Sequence, residues 1–368
     1  MKYNISYLNF GEIAKFKYGV MPKKNKIIDE GSYPIYSGYK YVGRYPEYNL
    51  DANQLIVVAR GVGGTGDVKI TKEKVFLTNL SIAIFVDESI VLKKYLYYLY
   101  QINNLRYLDS GSAQSQITIS DLERVKVPVI PIKSQKALVS ILDSINNKIE
   151  LNNKINDNLK HQSLIIFNDF YNSINCEEIA FKDDSDFGKL IMGQSPEGES
   201  YNTKKIGFPL LNGAADYNNM ILTPLKYTSS PTRLCEIGDL IFCIRATIGL
   251  LVFADKKYCL GRGVAAISKT NSVYTEYIYH IINRSIEKLK CQANGSVIVG
   301  INKDDILKIK IKKPTNTEIE EFHKKQKPIF EMIENSRKEI QILSDLRDTI
   351  LPKLMSGEID VSNIKIEA

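Results

Sequence analysis

The chain has no tryptophan, only three histidines, and no two cysteines in Cys-x-x-Cys spacing. Its five cysteines, Cys176, Cys235, Cys243, Cys259 and Cys291, lie in the second half at irregular intervals. An odd, scattered set argues for reduced thiols, against a disulfide framework and against a zinc cluster. His161, His280 and His323 are far apart in sequence, thin material for metal binding or acid–base chemistry. No apolar run approaches the roughly 18 residues that span a bilayer; Ser81–Val86 is typical of the short stretches present. The opening MKYNISYLNF lacks the apolar core of a secretory signal, so the expected location is the cytoplasm.

Catalytic strings are missing as well. There is no Asn-Pro dipeptide, hence no Asn-Pro-Pro-Tyr string of the kind that methylates bases. Glu-x-Lys, the pair that holds a metal in many nucleases, is also absent. These gaps disfavour a free-standing methyltransferase or nuclease, and the chain reads as a non-enzyme with neither a metal site nor a cofactor of its own.

What is present is charge in an uneven distribution. The 368 residues carry a formal net charge of +7, with 44% hydrophobic and 25% charged residues, a soluble globular balance over enough length for two domains. Residues 1–131 hold 17 basic and 12 acidic side chains, and 179–313 hold 19 and 13. The segments 132–178 and 314–368 come to −1 and −3. Two basic blocks joined by mildly acidic segments suggest a polyanionic partner, because each neutralised phosphate releases counterions.

The two basic blocks repeat each other. Gly19-Val20-Met21-Pro22 answers Gly193-Gln194-Ser195-Pro196, and the stretch from Tyr33 to Gly38 answers Phe208 to Gly213. Gln54 to Arg60 matches Asp239 to Arg245, each ending in Arg-x-x-x-Gly at Gly64 and Gly249. Gly111-Ser112 with Ile117 and Asp121 matches Gly295-Ser296 with Ile301 and Asp305. Order is kept throughout while the offset drifts only from 174 to 185, as expected for duplicated domains and not for a solenoid. Within each block, short runs such as Leu55–Ala59, Val75–Leu77, Ile82–Val86, Leu240–Ile244 and Val264–Ile267 read as strands between turns. Lys93–Leu105 and Tyr274–Leu289 read as helices, so each block is a mixed α and β domain.

Each block is followed by a heptad pattern. From Ser134 to Tyr171 the core places fall on Leu138, Leu142, Ile145, Ile149, Leu159, Ile166 and Phe170, interrupted by Asn152, Asn156 and Ser163. From Thr317 to Met355 they fall on Ile319, Phe322, Ile329, Ile333, Ile340, Leu343, Ile350 and Leu354, with polar breaks at Gln326, Ser336 and Arg347. Two helices of roughly 40 residues follow, each about 60 Å long. The apolar stripe of one is the matching cover for the other, which favours antiparallel pairing. Pro328 predicts a kink or a helix start inside the second.

This order of basic domain, long helix, basic domain and long helix resembles the specificity subunits of type I restriction–modification systems over essentially the whole chain. The resemblance is carried by Ile191–Pro196 with Tyr201-Asn202, by Val127–Pro131 through Gln135, and by Leu346–Asp360, LRDTILPKLMSGEID. The second joint departs from the first, with Lys312-Lys313-Pro314 and Glu318 in place of the second proline and the glutamine. The resemblance implies an α+β fold: two similar target-recognition domains at 1–131 and 179–313, joined by two long antiparallel helices (132–178 and 314–368) forming a coiled coil in a pseudo-two-fold arrangement. It implies a non-catalytic DNA-recognition subunit reading a bipartite, asymmetric double-stranded target, docked to methyltransferase subunits, with restriction–translocase subunits added outside. S-adenosylmethionine would be held by those partners. The alternatives are a specificity-type subunit of another restriction or phage-defence system, a free-standing methyltransferase, or a coiled-coil structural protein.

Gly61–Gly66, GVGGTG, has the formal GxGxxG spacing, with Asp87 about 20 residues on. The residues from Asp67 to Val86 alternate like strands, leaving no helix on which a phosphate would sit. The second copy keeps Arg245 and Gly249 without the glycine cluster, so the string reads as a tight turn beside a DNA-facing arginine. Asp67 in place of lysine after Gly66 excludes a Walker loop. The candidate DNA contacts are Arg60 and Arg245, suited to a guanine edge or phosphate, and Ser112, Gln114, Gln116, Asn294 and Ser296 in matched loops. Lys23, Lys24, Lys204 and Lys205, which follow the Gly-x-x-Pro turns, suit phosphates.

Overall fold

The computed structural model describes residues 5–28, 30–38, 40–61, 64–109, 116–218, 221–268, 271–292 and 300–362. They form two compact units, one made of 1–149 with 342–368 and the other of 150–341.

The first unit holds β1 (Ser6–Asn9), α1 (Phe10–Ile13), β2 (Ala14–Tyr18), β3 (Tyr33–Ser37), β4 (Lys40–Tyr45), β5 (Leu55–Val58), β6 (Val68–Ile70), β7 (Phe76–Leu77), β8 (Ser81–Val86), α2 (Lys93–Ile102), α3 (Ile119–Glu123) and β9 (Lys126–Val129). An antiparallel sheet runs β2-β8-β5-β6, a second sheet runs β4-β3-β7, and β1 pairs with β9. Alternation along β5 and β8 feeds two cores. Leu55, Val57, Ile82 and Ile84 pack with Tyr95, Leu96 and Leu99 of α2, while Ile56 and Ala83 pack with Tyr36, Val75 and Leu77. Successive side chains of a strand point to opposite faces, so a strand covered on both sides reads as the unbroken apolar run seen here.

The second unit repeats the plan. After α4 (Ile132–Ser173) come β10 (Glu178–Ala180), β11 (Leu190–Met192), β12 (Tyr201–Asn202), β13 (Phe208–Leu211), β14 (Tyr217–Asn218), β15 (Ile221–Leu222), β16 (Lys226–Thr228), β17 (Leu234–Cys235), β18 (Leu240–Cys243), β19 (Gly249–Phe253), β20 (Tyr258–Leu260), β21 (Val264–Ile267), α5 (Thr275–Gln292), α6 (Lys303–Leu307), β22 (Lys310–Lys312) and α7 (Asn316–Met355). The order β11-β21-β18-β19 reproduces β2-β8-β5-β6, and β16-β13-β20 reproduces β4-β3-β7 with β12 and β17 added at its edges. The cores split the same way. Leu240 and Phe242 pack with Tyr277, Ile278 and Ile281 of α5, while Ile241 and Cys243 pack with Leu211, Cys235 and Tyr258. Cys235 and Cys243 are fully buried free thiols, and burial pushes the Cys243 thiol up to about 11.

Both long helices contribute to each unit. In the first, Leu138 and Leu142 of α4 share a core with Leu351 and Leu354 of α7, and Arg347 Nη1 donates to Asn146 Oδ1 at 3.2 Å. In the second, Ser163 Oγ donates to Gln326 Oε1 at 2.6 Å and Asn152 Nδ2 donates to Glu339 Oε2 at 2.8 Å, so the helices run antiparallel. The polar heptad positions Asn152, Asn156, Ser163 and Gln326 are buried, whereas Ile149, Leu159, Ile166 and Phe170 are half-buried. Phe167, outside the expected stripe, is fully buried instead. No helix starts at Pro328; α7 begins at Asn316, and Pro328 lies within it at an exposed position.

The difference between the two joints has a local cause. Gln135, fully buried near the start of α4, donates to the carbonyls of Ile90 and Ile130 and accepts from the Leu92 amide, satisfying one backbone group just before α4 and two just before α2. Glu318 instead accepts from the Thr315 amide and hydroxyl, each at 2.8 Å, while its own amide donates to Thr315 Oγ1, and so caps α7.

Candidate nucleic-acid interface

Four pairs of equivalent backbone hydrogen bonds build the same frame in the two units. The Gly19 amide donates to Ser81 at 3.0 Å, as Gly193 does to Val264 at 3.1 Å. Val20 donates to Leu77 at 2.9 Å, as Gln194 does to Leu260 at 2.8 Å. Ala59 donates to Leu80 and Ile244 to Gly263, both at 2.9 Å; Ile117 donates to Ala59 and Ile301 to Ile244, again at 2.9 Å. The Gly-x-x-Pro turn, the strand leading to the repeated arginine and Ile117 or Ile301 are thereby held together in each copy. The first glycine of each turn admits no side chain: a Cβ on Gly19 would lie 2.2 Å from the Thr78 carbonyl oxygen, and one on Gly193 2.1 Å from that of Gly261.

In the second unit this frame surrounds an open cleft of about 810 Å³. Arg233, Arg245, Arg262 and Lys303 line it with Gln194 and Asn302, and no carboxylate is among the described residues of its wall. Arg245 is exposed and bridges to Gly300 through the backbone; Arg262 is exposed and its Nε donates to Ser195 Oγ at 3.4 Å. Four cations facing one open space repel one another unless an anion lies between them, so the open cleft suits phosphate or a base edge. A different cavity in this unit, of about 690 Å³, is walled by Phe253, Tyr279 and Phe330 with carboxylates such as Asp157, Asp255 and Glu334 among its cations. Those carboxylates make it the poorer seat for a polyanion.

In the first unit Arg60 is half-buried and bridges to Gln116, whose amide donates to Asp109 Oδ1 at 2.9 Å. Arg60 Nε is buried with no hydrogen-bond partner among the described residues. A cation in that condition costs stability unless something supplies an acceptor. Gly66, at φ 91°, packs where a Cβ would meet the Arg106 amide at 2.3 Å, and Thr65 Oγ1 donates to the Gly61 carbonyl at 2.9 Å. The chain turns at Gly64–Gly66, where the Asp67 amide donates to the Gly64 carbonyl at 3.0 Å, and then enters β6, so among the described residues no helix follows the glycines.

The family model for the type I restriction modification DNA specificity domain matches residues 5–161 and 177–351. The chain belongs to that family. As a specificity chain it is the non-catalytic component of a type I restriction–modification system. It is 30% identical over 290 residues to the putative type I restriction enzyme MjaX specificity subunit of Methanocaldococcus jannaschii, covering 73% of this chain and 68% of that one. A putative type I specificity subunit of Mycoplasma pneumoniae is 23% identical with 94% of each chain covered. The crystal structure of the type I restriction–modification S subunit from M. genitalium shares the fold at a TM-score of 0.68, with 18% identity and 96% of each chain covered.

Within this specificity fold the residues singled out from the sequence fall into three groups. Arg60 with Gln116, and Arg245, stand on the duplicated frame. Lys23 and Lys24 are exposed directly after the first turn, while Lys204 and Lys205 are exposed between β12 and β13 and do not line the cleft. Ser112, Gln114, Asn294 and Ser296 lie outside the described residues. Sequence reasoning missed Gln194, Arg233 and Arg262. Gln194 had a signal, since it sits inside the repeated Gly-x-x-Pro turn. Arg262 had none, because only the pairing of β18 with β21 brings the turn before β21 beside Arg245.

Proposed function

We propose that this specificity chain reads a bipartite, asymmetric double-stranded DNA target, one half with the domain at 1–131 and the other with that at 179–313. The observation that carries this reading is the second unit's cleft, lined by four cations and by no carboxylate among the described residues, and built on the duplicated arginine frame. Arg60 and Arg245 grip the duplex at matched positions; Gln116 and the matched loops bearing Ser112, Gln114, Asn294 and Ser296 approach base edges; Lys23, Lys24, Lys204 and Lys205 meet phosphates. The segments 132–178 and 314–368 dock methyltransferase subunits, restriction–translocase subunits join them outside, and S-adenosylmethionine is held by the methyltransferase. Such an assembly works in the cytoplasm, and no described helix is long and apolar enough to cross a membrane.

The test is transfer of labelled methyl groups from S-adenosylmethionine to DNA. The purified chain should transfer none and should confer site-specific methylation when combined with a type I methyltransferase subunit. Mapped sites should form a non-palindromic, two-part sequence. Methyl transfer by the chain alone, or a palindromic site, would overturn the proposal.

A further inference from the structure

In a duplicated reader of an asymmetric target, side chains common to both copies cannot tell the halves apart. Discrimination must come from positions where the backbone coincides, the side chain differs, and the residue faces the bound duplex. The matched hydrogen bonds identify the positions where the backbone coincides and the side chain differs, and of these Arg262 and Gln194 line the cleft. Leu77 is equivalent to Leu260 and Leu80 to Gly263, which places Asn79 where the second copy has Arg262. In the same way Val20 stands where the second copy has Gln194, and Met21 where it has Ser195. Arg60 and Arg245, by contrast, are identical and belong to the shared frame.

The substitutions are chemically consistent within each copy. In the second unit the three positions are an arginine, a glutamine and a serine, and the serine steadies the arginine: Arg262 Nε donates to Ser195 Oγ, leaving the outer guanidinium nitrogens as a planar fork in the cleft. That fork matches the O6 and N7 acceptors of guanine. In the first unit the three positions are an asparagine and two apolar side chains left open to water, Val20 at 54% and Met21 at 69% exposure. Asparagine matches the N6 donor and N7 acceptor of adenine, and an apolar surface matches the C5 methyl of thymine.

Resting on the DNA-reading function proposed above, we infer that Arg262 with Gln194 reads a guanine in one half-site, and that Asn79 with Val20 and Met21 reads an A·T pair in the other. Arg262 and Asn79 are then the specificity-determining pair, and the repeated arginines Arg60 and Arg245 supply position and affinity.

The experiment selects sequences from a randomised duplex DNA library with the full-length chain. The unaltered chain should enrich a two-part consensus with an invariant guanine in one half and an A·T pair in the other. Arg262→Asn should convert that guanine to adenine, or lower the preference for it by about ten- to hundred-fold, and leave the other half unchanged. Asn79→Arg should do the converse. Arg262→Lys keeps the charge and removes the fork, so it should hold affinity for unselected DNA while losing the guanine preference; it also serves if Arg262→Asn folds poorly. An Arg262 variant that binds every sequence equally more weakly with the consensus intact would overturn the inference and make Arg262 a phosphate contact. Failure of the unaltered chain to enrich any consensus would instead overturn the DNA-reading function, and the inference with it.

Discussion

Ser163 and Gln326 exchange two hydrogen bonds across the long helices: Ser163 Oγ donates to Gln326 Oε1 at 2.6 Å, and Gln326 Nε2 returns a bond to the Ser163 carbonyl at 2.8 Å. Gln326 is fully buried and Ser163 is 2% exposed. A buried polar group stripped of its partner retains the desolvation cost without the bond. Ser163→Ala and Gln326→Leu should each destabilise the chain by roughly 1–3 kcal/mol. The double variant should lose distinctly less than the two losses added, because the removed groups are each other's partners. Urea unfolding of the four chains measures this; strict additivity would refute it.

His280 completes that cluster, its Nε2 lying 2.8 Å from Ser163 Oγ and its ring stacked on Phe167 at 4.7 Å. Burial pushes its imidazole down to about 4, from an ordinary value near 6.5. Between those values the unfolded chain binds the proton and the folded chain does not, so stability falls as pH drops from about 6.5 toward 4. The loss attributable to this residue is up to about 3 kcal/mol by pH 4. His280→Gln removes the titration, and the difference in unfolding free energy between the two chains should narrow steadily on acidification. A difference independent of pH would show that His280 is not held neutral.

Gly19 and Gly193 each occupy a place where a methyl group would lie within 2.2 Å of a carbonyl oxygen. Gly19→Ala and Gly193→Ala should cost roughly 1–3 kcal/mol by displacing the turn from the strand behind it. Each should also weaken the reading of only its own half-site in mapped methylation. An alanine variant with unchanged stability and unchanged target would mean the turns are not pinned as described.

Arg60→Ala and Arg245→Ala address affinity without sequence. If both arginines meet phosphates, each substitution should weaken binding to all duplexes alike and reduce the slope of log affinity against log salt by about 1. Removing Arg60 should also stabilise the free chain slightly, since its buried Nε has no acceptor among the described residues. Titrations at a series of salt concentrations decide the matter.

The duplication was legible because the residues that recur are those the backbone requires: the glycine that permits close approach, and the apolar runs of β5 and β18, covered on both faces. The long helices were legible from their heptads, but not which side of the stripe is deepest. Ile166 and Phe170 were expected in the core, yet Phe167 takes the buried place by stacking on His280 of α5, a contact no helix-to-helix pattern contains. The short edge strands β12 and β17 carry two residues each, too few for any period to show. Arg233 and Arg262 were invisible for a related reason. Their place beside Arg245 depends on strand pairing, whereas a sequence motif reports only neighbours along the chain.

Along the sequence the inner unit is one uninterrupted stretch, 150–341, whereas the outer is assembled from segments on either side of it. Leu351, Leu354 and Val361 are buried in the same core as Leu138 and Leu142. During synthesis the inner stretch therefore has every residue of its core in hand first, and the outer core stays open until Leu351, Leu354 and Val361 emerge. Meanwhile the early turns of α4 keep an apolar stripe uncovered, which leaves the nascent chain open to misassociation. A chain ending before Leu351 would complete the inner core and leave the outer one unfinished.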